Sequence, residues 1–157
     1  MPYALCPIPN KQYMMYKQKK SGLLRVFVYG TLKPGEANYD FYCASEVVDA
    51  KKAWTRGELY ALPQGYPAMT TGDDLVYGYL LSFANSEILS SLDELEDYHP
   101  QRSNRENLYN RTQVEIFDLE NNSLGFAWVY LMSFLIIFQL KGTPQTDGWW
   151  SGKRERS

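Results

Sequence analysis

The sequence predicts a strand-dominated fold, a strongly bent sheet or small barrel with little helix, on three observations. Several short runs of β-branched and aromatic residues are separated by turn chemistry. Two of these runs carry an internal glycine, Gly57 and Gly78, as strands do where they bulge or bend. Clear helical periodicity is confined to one segment, residues 85–97.

With 157 residues and 45% apolar content, the chain suits one domain. Residues 23–150 are assigned to it, with residues 1–22 as a disordered N-terminal extension and residues 151–157 as a polar tail. The extension mixes Pro, Lys, Gln, Tyr and Met without a continuous apolar stretch, so it does not read as a secretory signal. A formal net charge of -2 provides no field for nucleic acid, and the basic clusters at residues 17–20 and 153–156 sit near the ends, where solvated tails account for them. Cys6 and Cys43 are too few for a disulfide framework, and with His99 the sole histidine no Cys/His metal site can be assembled. A reducing cytoplasm and no metal are the expectation.

The first strand, residues 25–28, runs into Tyr29-Gly30-Thr31-Leu32-Lys33-Pro34-Gly35. Gly30 permits backbone angles or a close approach that a Cβ would forbid, which suits the amides of Gly30, Thr31 and Leu32 to lining a small anion or carboxylate pocket. A plain strand-to-turn connection is the alternative. The Gly30-to-Gly35 spacing copies that of a P-loop, but Glu36 and Ala37 stand where the motif needs Lys and Ser/Thr, so a nucleotide reading fails. Residues 38–49 form a short helix or an irregular crossing. Residues 52–62 are a strand around Gly57, residues 63–67 a turn, residues 71–74 a second turn, and residues 75–83 a strand centred on Gly78.

In the helical segment Asn85 or Ser86 can cap the start, and Ile88, Leu89, Leu92 and Leu95 build one apolar face. Stepping ~100° per residue from Ile88 turns Glu94 and Asp97 towards water and puts Glu96 near ~80°, between Leu92 and Leu89. A desolvated carboxylate at a helix C-terminus has its pKa pushed upward, which a general base working near neutrality requires. Glu96 is therefore the candidate base; if the helix frays before it, the side chain turns outward. Residues 98–108 form a polar loop in which His99 is expected to be solvated. Residues 110–117 alternate Thr112, Val114 and Ile116 against Arg111, Gln113 and Glu115, a half-buried strand joined by a turn to a strand at residues 126–130. The uncharged stretch 124–140 is at the short end of the ~17–25 residues that span a membrane, and its first half reads equally well as a strand, so no membrane partner is expected. Its second half, residues 134–140, has no clear element, and residues 142–150 are a loop pinned by Trp149 and Trp150.

Taken in order, Val28-Tyr29-Gly30-Thr31-Leu32, Leu92-Asp93-Glu94-Leu95-Glu96, Tyr109-Asn110-Arg111 and Trp128-Val129-Tyr130 resemble the gamma-glutamylcyclotransferase-like family, which includes the plant AIG2-like proteins. The resemblance covers residues 25–132 and implies a small mixed α+β fold, a strongly bent β-barrel with a few short helices. It also implies a small-molecule γ-glutamyl substrate, cyclised to 5-oxoproline with release of an amine or amino acid, and no cofactor. By position Glu96 matches the family's catalytic glutamate, Tyr29, Gly30, Thr31 and Leu32 its substrate-holding loop, and Tyr109 and Tyr130 its cavity tyrosines. Asp97 stands where the family often has glycine, the loop at 98–108 is comparatively long, and the apolar run 134–140 is unusual. Strand alternation puts Tyr109 on the face of Gln113 and Glu115, so its inward orientation is implied by the resemblance alone. The alternative function is a binding module with the same cavity and no turnover.

Overall fold

Five strands of a computed structural model that describes residues 23–152 close into a ring, and a sixth extends it at one side. Residues 1–22 and 153–157, which hold the expected N-terminal extension, both basic clusters, Cys6 and most of the expected polar tail, lie outside the described residues. The strands are β1 (Leu24–Val28), β2 (Val47–Ala61), β3 (Pro67–Phe83), β4 (Asn110–Phe117), β5 (Ser123–Leu131) and β6 (Thr143–Pro144). Between them lie the helices α1 (Tyr39–Tyr42), α2 (Ile88–Leu95) and α3 (Phe134–Gln139), with a 3₁₀ turn at Asn104–Glu106. The sheet order is β3-β1-β5-β4-β2-β6, and pairing of β2 with β3 closes the ring, giving the mixed α+β fold with a strongly bent sheet.

β1 is central because both its faces are covered. Leu24, Val26 and Val28 enter one apolar cluster and Phe27, followed by Tyr29, enters the other, which is why the stretch reads as an almost unbroken apolar run. It lies antiparallel to β3, from Leu24 opposite Phe83 to Val28 opposite Tyr79, and parallel to β5 at Val26 opposite Trp128. Phe27, Ala53, Val76, Ile116, Ala127 and Val129, drawn from all five ring strands, share the second cluster. In the first cluster Leu81 and Phe83 of β3 meet Leu92 of α2 and Ile137 of α3.

β2 and β3 form one long antiparallel hairpin whose ladder is broken at Gly57/Glu58. The turn expected at residues 71–74 is overturned here. Glu58 pairs with Thr70 while its neighbour Gly57 pairs with Asp74, so residues 71–73 are a bulge inside β3. A polar Thr-Gly-Asp-Asp run reads alike in both settings, since each takes backbone off the ladder. Gly78 marks a close backbone approach, because a Cβ there would collide with the Val28 carbonyl oxygen.

The uncharged stretch divides into β5 and α3, with the Ser133 hydroxyl accepting from the Ile136 amide at 3.3 Å as a helix cap. Among the described residues no helix is long and apolar enough to cross a membrane. The segment at 142–150 is not all loop, since its Thr143 and Pro144 pair with Ala61 and Tyr60 of β2. Its aromatic pinning is real: Trp150 is buried, and the buried Lys33 ammonium donates to the Trp150 carbonyl and lies 3.4 Å from the centre of the Trp149 ring.

Candidate active site

β1 delivers Tyr29 and the loop that follows it. The loop is fastened largely through its acceptors. Gly30 O accepts from the Lys33 amide at 3.0 Å, Thr31 O from the Asn38 amide at 2.8 Å, and the Thr31 hydroxyl from the Asn38 side-chain amide at 2.9 Å. The amides of Thr31 and Leu32 make no hydrogen bond among the described residues, although both residues line a cavity. Gly30 is required here by space, because a Cβ would sit 2.5 Å from the Pro67 ring at the start of β3.

The opposite wall comes from α2, shorter than expected at its start, where the Asn85 carboxamide accepts from the Glu87 amide at 2.9 Å. At its end the helix stops at Leu95, short of the expected residue 97, and Glu96 is its C-cap, still tied into the closing turn. The Glu96 amide donates to Leu92 O at 3.0 Å, Asp97 to Glu94 O at 3.2 Å, and Tyr98 to Asp93 O at 2.8 Å. The last two bonds are the paired closure of a Schellman motif, which puts Asp97 in the left-handed region at φ 54°. Asp97 thus occupies the conformation that glycine adopts most readily, and Arg102 holds it with donors 2.9 Å from its carbonyl and 3.0 Å from its carboxylate. With that turn intact Glu96 lines the cavity, and burial raises its carboxyl pKa to about 7.

Three tyrosines complete the wall. The Tyr29 hydroxyl donates to Tyr130 O at 2.6 Å and accepts from the Met69 amide at 3.2 Å. Tyr109 donates to Pro67 O at 2.7 Å, and Tyr130 to the Asp93 carboxylate at 2.7 Å. Burial raises the pKa of all three hydroxyls, and the charge of Glu96 adds to the effect at each. They therefore stay protonated and neutral around Glu96. Tyr109 points inward despite the alternation of β4 because it precedes that strand, which begins at Asn110. The same Asp93 oxygen accepts from Arg111 Nε at 2.8 Å, and the Arg111 guanidinium lies over the rings of Trp128 and Tyr98, 4.5 and 5.0 Å from their centres.

The cavity has a volume of about 280 Å³ and is bounded by Tyr29, Gly30, Thr31, Leu32, Glu96, Tyr109 and Tyr130 together, the whole set singled out from sequence. Sequence reasoning missed Asn38, Tyr66, Leu95 and Leu108, which also line it. Leu95 was legible only as core, and Asn38 sat in a stretch of mixed periodicity. His99 is exposed and does not line the cavity. Neither does Cys43, whose buried thiol is pushed up to about 12 by desolvation.

This fold and site define a class. The sequence matches the family described as Gamma-glutamyl cyclotransferase, AIG2-like, over residues 26–152, and the chain belongs to that family. It is similar, at 33% identity over 105 residues, to the gamma-L-glutamyl-butirosin B gamma-glutamyl cyclotransferase of Niallia circulans, covering 67% of this chain and 65% of that relative. It is 30% identical over 106 residues to a candidate gamma-glutamylcyclotransferase of Vibrio cholerae, covering 68% of this chain and 79% of the other. In fold it is similar to an aig2-like protein of Mus musculus, with a TM-score of 0.61 at 23% identity over 82% of this chain and 88% of that one. YkqA of Bacillus subtilis gives a TM-score of 0.59 at 21% identity, over 85% of this chain and 42% of that one.

Proposed function

We propose that the protein is a gamma-glutamylcyclotransferase that cyclises a γ-glutamyl group to 5-oxoproline and releases an amine or amino acid, with Glu96 as general acid and base. The observation that carries this reading is a desolvated carboxylate lining the same cavity as two uncommitted backbone amides. A pocket that only binds has little use for a carboxylate poised near neutrality, whereas proton transfer is most efficient there. The family relationship and the named activities of the Niallia and Vibrio relatives support the same reading.

In this mechanism the Glu96 carboxylate takes a proton from the substrate α-ammonium, and the freed amine attacks the γ-carbonyl carbon of the same molecule. As the tetrahedral intermediate collapses, Glu96 gives its proton to the leaving nitrogen, the C–N bond to the amine breaks, and the regenerated carboxylate accepts the second proton from the ring nitrogen, leaving the neutral five-membered lactam. The Thr31 and Leu32 amides orient the substrate carboxylate or stabilise the developing oxyanion. Because nucleophile and electrophile share one molecule, holding it folded back on itself supplies much of the acceleration. The tyrosine hydroxyls, protonated throughout, keep lone pairs available to the ammonium without adding charge beside Glu96.

The test is 5-oxoproline release from a panel of γ-glutamyl amino acids, γ-glutamyl amines and glutathione by wild type and Glu96→Gln. Turnover is expected to fall at least ~10²-fold in the variant, with its circular dichroism unchanged. Full turnover by Glu96→Gln would remove the base assignment. A wild type that binds γ-glutamyl ligands and releases nothing would be a binding module.

A further inference from the structure

We propose that Asp93 is a positioning residue that holds Glu96 in place, an inference that rests on the cyclotransferase reading for its kinetic consequences. Asp93 lies in the last turn of α2, three residues before the C-cap Glu96, and uses both its main chain and its side chain. Its carbonyl accepts from the Tyr98 amide and closes the turn that carries Glu96. One carboxylate oxygen accepts from both Tyr130 of β5 and Arg111 of β4, at 2.7 and 2.8 Å. The ion pair is shielded, with the two side chains 12% and 14% exposed, and the flanking rings of Trp128 and Tyr98 fix the guanidinium plane. Such a pair is short and directional, unlike a surface ion pair.

The arrangement links the two halves of the cavity. Tyr130, held by Asp93, in turn accepts on its carbonyl from the Tyr29 hydroxyl, and Tyr29 leads into the Gly30–Leu32 loop. Movement at Asp93 therefore shifts Glu96 on one wall, while the amide loop on the other keeps its own bonds to Lys33 and Asn38. Glu94, the neighbouring carboxylate, is exposed and has no hydrogen bond through its side chain among the described residues. Asp93 does not line the cavity, so its influence on the substrate passes through Glu96 and Tyr130.

Asp93→Asn keeps the size of the side chain and removes the charge that pairs with Arg111. Its kcat is expected to fall by about 10²-fold, the scale set by a misplacement of about 1 Å of a catalytic group. KM should change by less than about threefold, because the groups that touch substrate are retained. Carbon-13 NMR of the glutamate carboxyls, with Glu96 assigned by its loss in Glu96→Gln, gives a readout that needs no turnover. The Glu96 midpoint is expected to drop by about one pH unit as water reaches the loosened turn, while Tyr29, Tyr109 and Tyr130, which face it, stay protonated.

A folded Asp93→Asn with wild-type kcat and an unmoved Glu96 midpoint would overturn the proposal, as would a rise in KM alone. If that variant does not fold, Arg111→Lys carries the test: it retains the charge, loses the stacked planar donor, and should move kcat and midpoint in the same directions by less. Unchanged values in folded Arg111→Lys would then overturn the proposal. If Glu96→Gln keeps turnover while Asp93→Asn moves the Glu96 midpoint, the base assignment falls and the positioning of Glu96 stands.

Discussion

At Glu96 two opposing demands meet in one carboxyl group. Burial makes the charge costly and lifts the pKa to about 7, so at neutral pH about half of the molecules hold the base and half the acid. A group that accepts a proton and then returns one to a leaving nitrogen, as proposed for Glu96, works best in that balance. If free enzyme must carry the carboxylate, kcat/KM should rise tenfold per pH unit on the acid side and level off above about pH 7. Initial rates at subsaturating substrate, taken from about pH 5 to pH 9, check this; an acid limb centred near the ordinary glutamate value of about 4.3 would contradict it. The inward direction of Glu96 was legible because its wheel position falls between Leu92 and Leu89. The partner of Asp93 was not, because Arg111 lies 18 residues away and only ring closure brings it beside α2.

The element on which the proposed chemistry rests is the closing turn of α2, and its weak point is Asp97. An L-residue in the left-handed region costs roughly 1–2 kcal/mol, which Asp tolerates better than most and which glycine escapes. Arg102 offsets part of the cost here, although with the two side chains 32% and 56% exposed the ion pair itself contributes at most about 1 kcal/mol. Asp97→Gly is therefore expected to match the wild-type stability and to retain activity. Asp97→Val puts a β-branched side chain at positive φ and should lose roughly 1–2 kcal/mol, with a fall in kcat as Glu96 turns with the strained cap. Urea unfolding of both variants measures the difference, and equal midpoints would show that Asp97 is under no such strain. The helix start was harder to read than its end, since Asn85 and Ser86 offer similar caps and the chain forms turns before α2 begins at Ile88. The bulge at residues 71–73 was hidden for a related reason: its identity depends on what lies across the ladder, and Gly57 and Glu58 are distant in sequence.

For the whole molecule, the ring of strands and the site are one construction. β1 contributes Val26 and Phe27 to opposite cores and ends in the amide loop, so the same burial that stabilises the sheet fixes one wall of the cavity. The strand runs and internal glycines made this bent sheet legible from sequence; closure was less so, because the β1–β5 and β2–β4 seams have one registered pair each and no local signal. The desolvated Glu96 carboxyl sets a cost for the fold that can be measured. With the folded-state pKa raised from 4.5 to about 7, the folded chain keeps a proton that the unfolded chain has released, so stability falls as pH rises through that window. The loss is on the order of 3 kcal/mol and is complete above the folded-state value. Glu96→Gln removes the titration. Its stability relative to wild type should therefore increase between pH 4.5 and pH 8, raising the difference in Tm by roughly 5–10 °C. Thermal unfolding of both proteins at the two pH values checks it, because the other titrating groups are common to the pair and cancel. A difference independent of pH would mean that Glu96 is as well solvated in the folded chain as in the unfolded one. A catalytic glutamate of the kind proposed here is then a site where the protein gives up stability for function, and removing it should yield a sturdier, inactive molecule.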